Sequence, residues 1–197
     1  MPLPRSSVDQ CEVLAAVVDA GGFAQAGMFA YISGSPFVFI DLFGVPAQAY
    51  GWLFGMNAAG IIGASQLNRV LLRRLRSDDI LTGANRVNAA MGVLLLAAAW
   101  TGFGGLAGIL VPLFFYVAAL GFTFPNASAG AMAPFPRQAG SASALLGSLQ
   151  FGIAALASAA VGWLHDGSAV PMATVIAGCG MLAFVAHRGL VASGKTR

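Results

Sequence analysis

GGFAQAGMFAYISGSPFVFIDLFGVPAQAYGWLFGMNAAGIIG, residues Gly21–Gly63, decides the fold. It reads as two apolar segments, Gly21–Ile40 and Ala49–Asn68, joined by the short polar stretch Asp41-Leu-Phe-Gly-Val-Pro-Ala-Gln48. Crossing the ~30 Å hydrocarbon core of a bilayer takes about 20 helical residues, which each segment supplies. Neither has a charge in its interior, and the join is too short to be a domain and too polar to stay in lipid. The stretch is therefore expected to form a transmembrane helical hairpin.

Working outward, the composition extends this reading to the whole chain. Only 9% of residues are charged and 58% are hydrophobic, against roughly 25% charged in a soluble domain. In lipid, only helices and closed barrels satisfy every backbone N–H and C=O. The apolar runs lack the period-two alternation of barrel strands, so helices are expected. The sequence predicts six spans, at 21–40, 49–68, 80–101, 104–131, 140–162 and 168–187, with Pro125 kinking the fourth near one end. Residues 1–20 are expected to form a polar cytoplasmic segment, 21–190 a six-helix transmembrane domain and 191–197 a cytoplasmic tail. Asp9, Glu12 and Asp19, with no long apolar run after Arg5, argue against a signal peptide. Cys11 and Cys179 suggest neither a disulfide nor a metal site.

The ten Lys and Arg residues fix an orientation. Arg5 precedes the first span, and Arg69, Arg73, Arg74 and Arg76 lie between the second and third. Arg137 lies between the fourth and fifth, and Arg188, Lys195 and Arg197 follow the sixth. Only Arg86 falls within a span, near enough to its end to snorkel back to the surface. The other three loops carry no Lys or Arg, so the positive-inside rule puts both termini in the cytoplasm. The net charge of +3 reflects this topology and not an affinity for nucleic acid.

Leu53-Phe-Gly-Met-Asn-Ala-Ala-Gly-Ile61 in the second span aligns with Leu145-Leu-Gly-Ser-Leu-Gln-Phe-Gly-Ile153 in the fifth. Because these spans run in opposite directions, a true repeat would be an inverted three-plus-three unit of the kind found in secondary transporters. The coincidences suit either that repeat or chance between two Gly/Ala-rich helices. Both spans also carry small residues at every fourth position: Gly51, Gly55, Ala59 and Gly63, and then Gly140, Ala144, Ser148 and Gly152. Ordinary helix packing is the expected use of such stripes.

Asn57 and Gln150 lie about 200° round their helices from these stripes. Each amide needs a partner in lipid, whether a neighbouring helix or a water-filled cavity. In the first span Gln25, Phe29, Ile32 and Pro36 share one face. Pro36 can bend that helix end, as can Pro125, next to Asn126, in the fourth span. An aromatic-plus-amide face suits a medium-sized, amphipathic, mostly uncharged ligand, and Gln25, Phe29, Asn57, Asn126 and Gln150 are the candidate substrate-binding residues. No span has an Asp or Glu in its interior, where a proton-driven carrier usually keeps one. His165 and His187 are expected at the solvated boundaries. Ser65 and His187 could be imagined as an intramembrane protease pair, but Ser65 lacks the following glycine and an oxyanion donor set, so no catalytic residue is assigned.

Four blocks, AGMFAYISGSPFVFIDLFGV (Ala26–Val45), SQLNRVLLRR (Ser65–Arg74), FTFPNASAGAM (Phe122–Met132) and FPRQAGSASALLGSLQF (Phe135–Phe151), resemble the Bcr/CflA group of drug-resistance exporters in the major facilitator superfamily. The resemblance covers only helices seven to twelve of such a transporter, half of the fold. It implies a drug/proton antiporter of the bacterial inner membrane, energised by the proton gradient and needing no cofactor or metal. Compounds such as chloramphenicol or bicyclomycin are the implied substrates, moved by alternating access. In that group the equivalents of the first, second, fourth and fifth spans line the cavity. The expected partners are the lipid bilayer, a small-molecule drug, and either a second six-helix half or a second copy of this chain. The alternative is a truncated, non-transporting membrane subunit or remnant that only associates with other membrane proteins.

Overall fold

In a computed structural model, which describes residues 20–133 and 139–192, all of the regular structure is helical. The helices are α1 (Ala20–Pro36, continuing as a π-helical segment Phe37–Leu42), α2 (Ala47–Leu71), α3 (Ser77–Thr101), α4 (Gly105–Met132), α5 (Ala139–Trp163) and α6 (Val170–Ala192). The expected N-terminal segment, all of the expected tail past Ala192, and Arg5, Cys11, Asp19, Arg137, Lys195 and Arg197 lie outside the described residues.

Among the described residues, five helices are long and apolar enough to cross a membrane: α1 with its π-helical extension, α3, α4, α5 and α6. The 25-residue α2 is not among them, because Gln48, Asn57, Gln66, Asn68 and Arg69 lower its hydropathy. Two of these polar groups, Asn57 and Asn68, are buried against neighbouring helices.

Local chemistry sets the helix ends. Pro36 has no N–H to donate, and beyond it the backbone widens, with Phe43 N–H donating to the Val38 carbonyl at 3.1 Å and Val45 N–H to Phe39 at 2.9 Å. The α3–α4 turn needs Gly102 and Gly104, which adopt φ of 69° and 74°, in the left-handed region where a side chain is disfavoured. α3 begins at Ser77, earlier than expected, which places Asp78 and Asp79 in its first turn, where the helix dipole favours acidic groups.

α3 packs against α4 and α6, α1 packs against α5 and α6, α2 packs against α4, and α1 touches α4. Phe39, Leu95, Ile109, Leu113, Tyr116, Leu120, Met172 and Ile176 fill the core without exposure to the surroundings. Close backbone approach carries much of this packing. A Cβ added at Gly121 of α4 would collide with the Ile61 carbonyl oxygen of α2, and one added at Gly92 of α3 would stand 3.0 Å from Ala177 Cα of α6.

The structure corrects two expectations. The small-residue stripes of α2 and α5 are not packing seams within this chain, because Gly51, Gly55, Ala59, Gly63, Gly140, Ala144, Ser148 and Gly152 are all exposed. It is the opposite face of α2, carrying Asn57, Ala64 and Asn68, that is buried. His187 is not a solvated boundary residue either. α6 runs past it, leaving it 2% exposed with Nε2 2.9 Å from Thr82 Oγ1 on α3.

Candidate functional site

α2 leans mainly on α4 and α5 mainly on α1, and the two do not form a packed pair with each other. α1 and α4 lie behind them, so the bundle has an open flank between α2 and α5. The candidate residues distribute over this arrangement in three places.

The first is the seam between α1 and α5. Gln25, Phe29 and Gln150 are all half-buried there. Phe29 meets Phe151 edge to face at 5.6 Å between ring centres, the preferred geometry for an aromatic pair. A Cβ added at Gly21 would stand 3.1 Å from Gln150 Nε2 and 3.3 Å from Ala127 Cβ. The Gln150 amide therefore reaches across α1 towards α4, over a backbone position that only glycine leaves open. Ser33 Oγ donates to Ser158 Oγ at 2.8 Å, and Ser158 Oγ donates to the Phe29 carbonyl at 3.3 Å, which fixes α5 against α1 beside Phe29.

The second place is the gap between α1 and α2, which side chains bridge. Asn57 Nδ2 donates to Tyr31 Oη at 3.0 Å. Tyr31 stacks on Phe54 at 5.8 Å, Phe54 meets Tyr50 at 6.2 Å, and Tyr50 Oη shares a 2.9 Å hydrogen bond with Ser35 Oγ. Asn57 Oδ1 is buried and has no hydrogen-bond partner among the described residues. Sequence reasoning found Asn57 but missed Tyr31, Tyr50 and Phe54. Tyr50 and Phe54 precede Asn57 by about two turns and one on α2 and were the available signal, whereas Tyr31 lies on α1, 26 residues before it.

The third place holds Asn126, away from the others. Its Nδ2 donates to Asn68 Oδ1 and to the Phe122 carbonyl, both at 2.8 Å, and its Oδ1 accepts from Ser77 Oγ at 2.7 Å. The side chain is 3% exposed and joins α4 to α2 and α3, so its hydrogen-bonding capacity is largely committed to the fold. Ser65 likewise gives its hydroxyl hydrogen to the Gly121 carbonyl, at 3.1 Å.

A cleft of about 120 Å³ lies between α1, α5 and α6 at the Lys/Arg-free end, lined by residues including Ser33, Phe37, Ser158, His165 and Met172. Drug-sized ligands occupy pockets of roughly 300–1,000 Å³, so this cleft is too small to be the whole site. The open flank between α2 and α5, backed by α1 and α4, is the better candidate. Within the described residues, no group of His, Cys, Asp and Glu is arranged to hold a metal ion.

No protein family model matches the chain. Two curated proteins are similar to most of it. The "Uncharacterized MFS-type transporter YdgK" of Bacillus subtilis is 32% identical over 169 residues, which cover 86% of this chain and 42% of that protein. The "Bicyclomycin resistance protein homolog" of Haemophilus influenzae is 28% identical over 177 residues, covering 85% of this chain and 42% of that protein. The chain therefore spans less than half the length of the curated relatives it matches. These matches bear out the resemblance read from the sequence: the chain is similar to part of a major facilitator transporter of the drug-resistance type, a multi-pass membrane protein.

Proposed function

We propose that the chain is the C-terminal six-helix half of an inner-membrane exporter of small amphipathic drugs, working by alternating access and proton antiport. Both termini would lie in the cytoplasm. The observation that carries this reading is the open flank. α2 and α5 each present an exposed stripe of small residues, and no Cβ added at Gly51, Gly55, Gly63, Gly140 or Gly152 would meet anything within 4 Å. Lipid needs no such stripe, whereas a second helix packing closely does. A second six-helix half, or a second copy of this chain, would cover the flank and close a cavity at the bilayer midplane.

The helix pairing supports the inverted repeat. Exchanging α1, α2 and α3 for α4, α5 and α6 turns the α1–α5 pair into α4–α2 and α1–α6 into α4–α3, while α3–α6 and α1–α4 map onto themselves, all of them observed contacts. The relatives' unmatched length also leaves room for a partner half. Gln25, Phe29, Asn57 and Gln150 would offer amide and aromatic contacts suited to compounds such as bicyclomycin or chloramphenicol. Asn126 would act on the site through the packing of α4. A proton-carrying carboxylate would have to come from the partner half, since the described helices place none at membrane depth.

Drug accumulation tests the proposal. Cells carrying the chain with its partner half should retain less chloramphenicol or bicyclomycin than vector controls, and Gln150→Ala should narrow the difference. Equal accumulation in all three strains would favour the second reading, a non-transporting membrane subunit.

A further inference from the structure

Asn85 and Asn88 occupy the buried face of α3, 0% and 1% exposed. Neither amide atom of Asn85 has a hydrogen-bond partner among the described residues, and neither does Asn88 Oδ1. Asn88 Nδ2 has only a long contact, 3.4 Å, to Thr123 Oγ1 on α4, whose hydrogen is already given to the Ala119 carbonyl at 3.2 Å. α6 closes the third side, since a Cβ added at Gly180 would stand 2.9 Å from the Asn88 carbonyl oxygen. Two primary amides thus sit at a three-helix junction with one donor group and two acceptors unmet.

An unpaired amide in a dry apolar interior is costly, and inside a bilayer bulk solvent cannot relieve it. The ligand that satisfies these groups must both donate and accept, and it must be small enough for a helix junction. We propose that this junction is an internal water-binding site, in which water accepts from Asn85 Nδ2–H and donates to Asn88 Oδ1. Side chains three apart on a helix stand about 5–6 Å apart at Cβ, a span that one bridging water fits, and Asn85 Oδ1 can accept from a second. A metal cation fits poorly. The Asn85 NH₂ group would face it with its hydrogens, and no carboxylate in the described helices lies at this depth to balance the charge. The bound water links the two amides along the face of α3 that packs against α4 and α6. The site lies behind the drug-binding flank and does not depend on the transport proposal.

Water-edited solid-state NMR on the full ¹⁵N-labelled chain in liposomes reads this directly. The Asn85 side-chain NH₂ should gain polarisation from water faster than that of Asn126, whose amide hydrogens go to protein acceptors. Transfer no faster than at Asn126 would overturn the proposal. Asn85→Leu gives an independent answer of opposite sign. If water is bound, leucine expels it, strands Asn88 Oδ1 and lowers the melting temperature. If the site is dry, leucine removes an unpaired amide and raises it, and the proposal fails. Should the variant not fold, the NMR comparison decides alone.

Discussion

Asn126 Nδ2 donates to Asn68 Oδ1 at 2.8 Å while Asn126 Oδ1 accepts from Ser77 Oγ at 2.7 Å. One α4 side chain thereby joins the last turn of α2 to the first turn of α3, at the end of the bundle where Arg69, Arg73, Arg74 and Arg76 gather. Asn126→Ala strands Asn68 Oδ1 and removes the acceptor for Ser77. Hydrogen bonds of this kind contribute about 1 kcal/mol each in water and roughly 0.6 in membrane proteins. The substitution is expected to destabilise the bundle by about 1–2 kcal/mol, read as a lower melting temperature in detergent.

Gly121 and Gly55 make opposite predictions from the same residue type. Gly121→Ala drives a methyl group into the Ile61 carbonyl across the α2–α4 contact, and overpacking of this kind costs about 1–3 kcal/mol. Gly55→Ala adds a methyl group where nothing lies within 4 Å. It should leave the melting temperature of the isolated chain unchanged and weaken association with a partner half, measured by size-exclusion chromatography of the assembled carrier.

Gln150→Ala removes the amide that reaches over Gly21 without touching the buried core. Loss of one hydrogen bond to a ligand, about 1.4 kcal/mol, is roughly a tenfold loss of affinity. Equilibrium binding of labelled chloramphenicol to the assembled carrier should fall by about that factor, with an unchanged melting curve.

Asp166 gives the pH dependence. Its carboxylate accepts from Ser168 N–H at 2.9 Å and Ser168 Oγ–H at 2.6 Å, and Ser168 Oγ in turn accepts from Val170 N–H at 3.2 Å at the start of α6. The Ser168 hydrogen bonds hold the Asp166 pKa below its ordinary value of 3.8. A carboxylate whose pKa is lower in the folded state stabilises that state above its unfolded pKa, and the stabilisation is lost as pH falls through the folded value. Amide exchange at Ser168 and Val170 should therefore speed up only in acid, below the usual carboxylate range, beyond the intrinsic pH dependence of exchange. Asp166→Asn should remove that acid-specific gain.

The architecture was legible because the signals behind it are local. Hydropathy runs, Pro36, Pro46 and the Gly102–Gly104 turn mark helices and breaks without reference to the rest of the chain. The spacing of Gly51, Gly55, Ala59 and Gly63 was also visible, but not whether those residues meet a helix of this chain, which depends on where α4 goes. Asn126 read as a binding residue because an amide beside Pro125 looks the same in sequence whether it faces a cavity or Asn68. Asn85 and Asn88 carried no signal of their own, because an amide in an apolar run reads the same whether or not it finds a partner. His187 was placed at the boundary because α6 runs further than its apolar run suggests. In each case the missing information was the partner helix, which periodicity does not name.

On this proposal the α2–α5 flank faces protein, not lipid. A photo-crosslinking residue at Gly55, on the exposed stripe of α2, compared with one at Leu94, 52% exposed on α3, tests it most directly in the membranes of the chain's own cells. Gly55 is expected to give a protein adduct heavier by one six-helix unit, and Leu94 none. Equal failure at both positions, with only lipid adducts, would contradict the proposal.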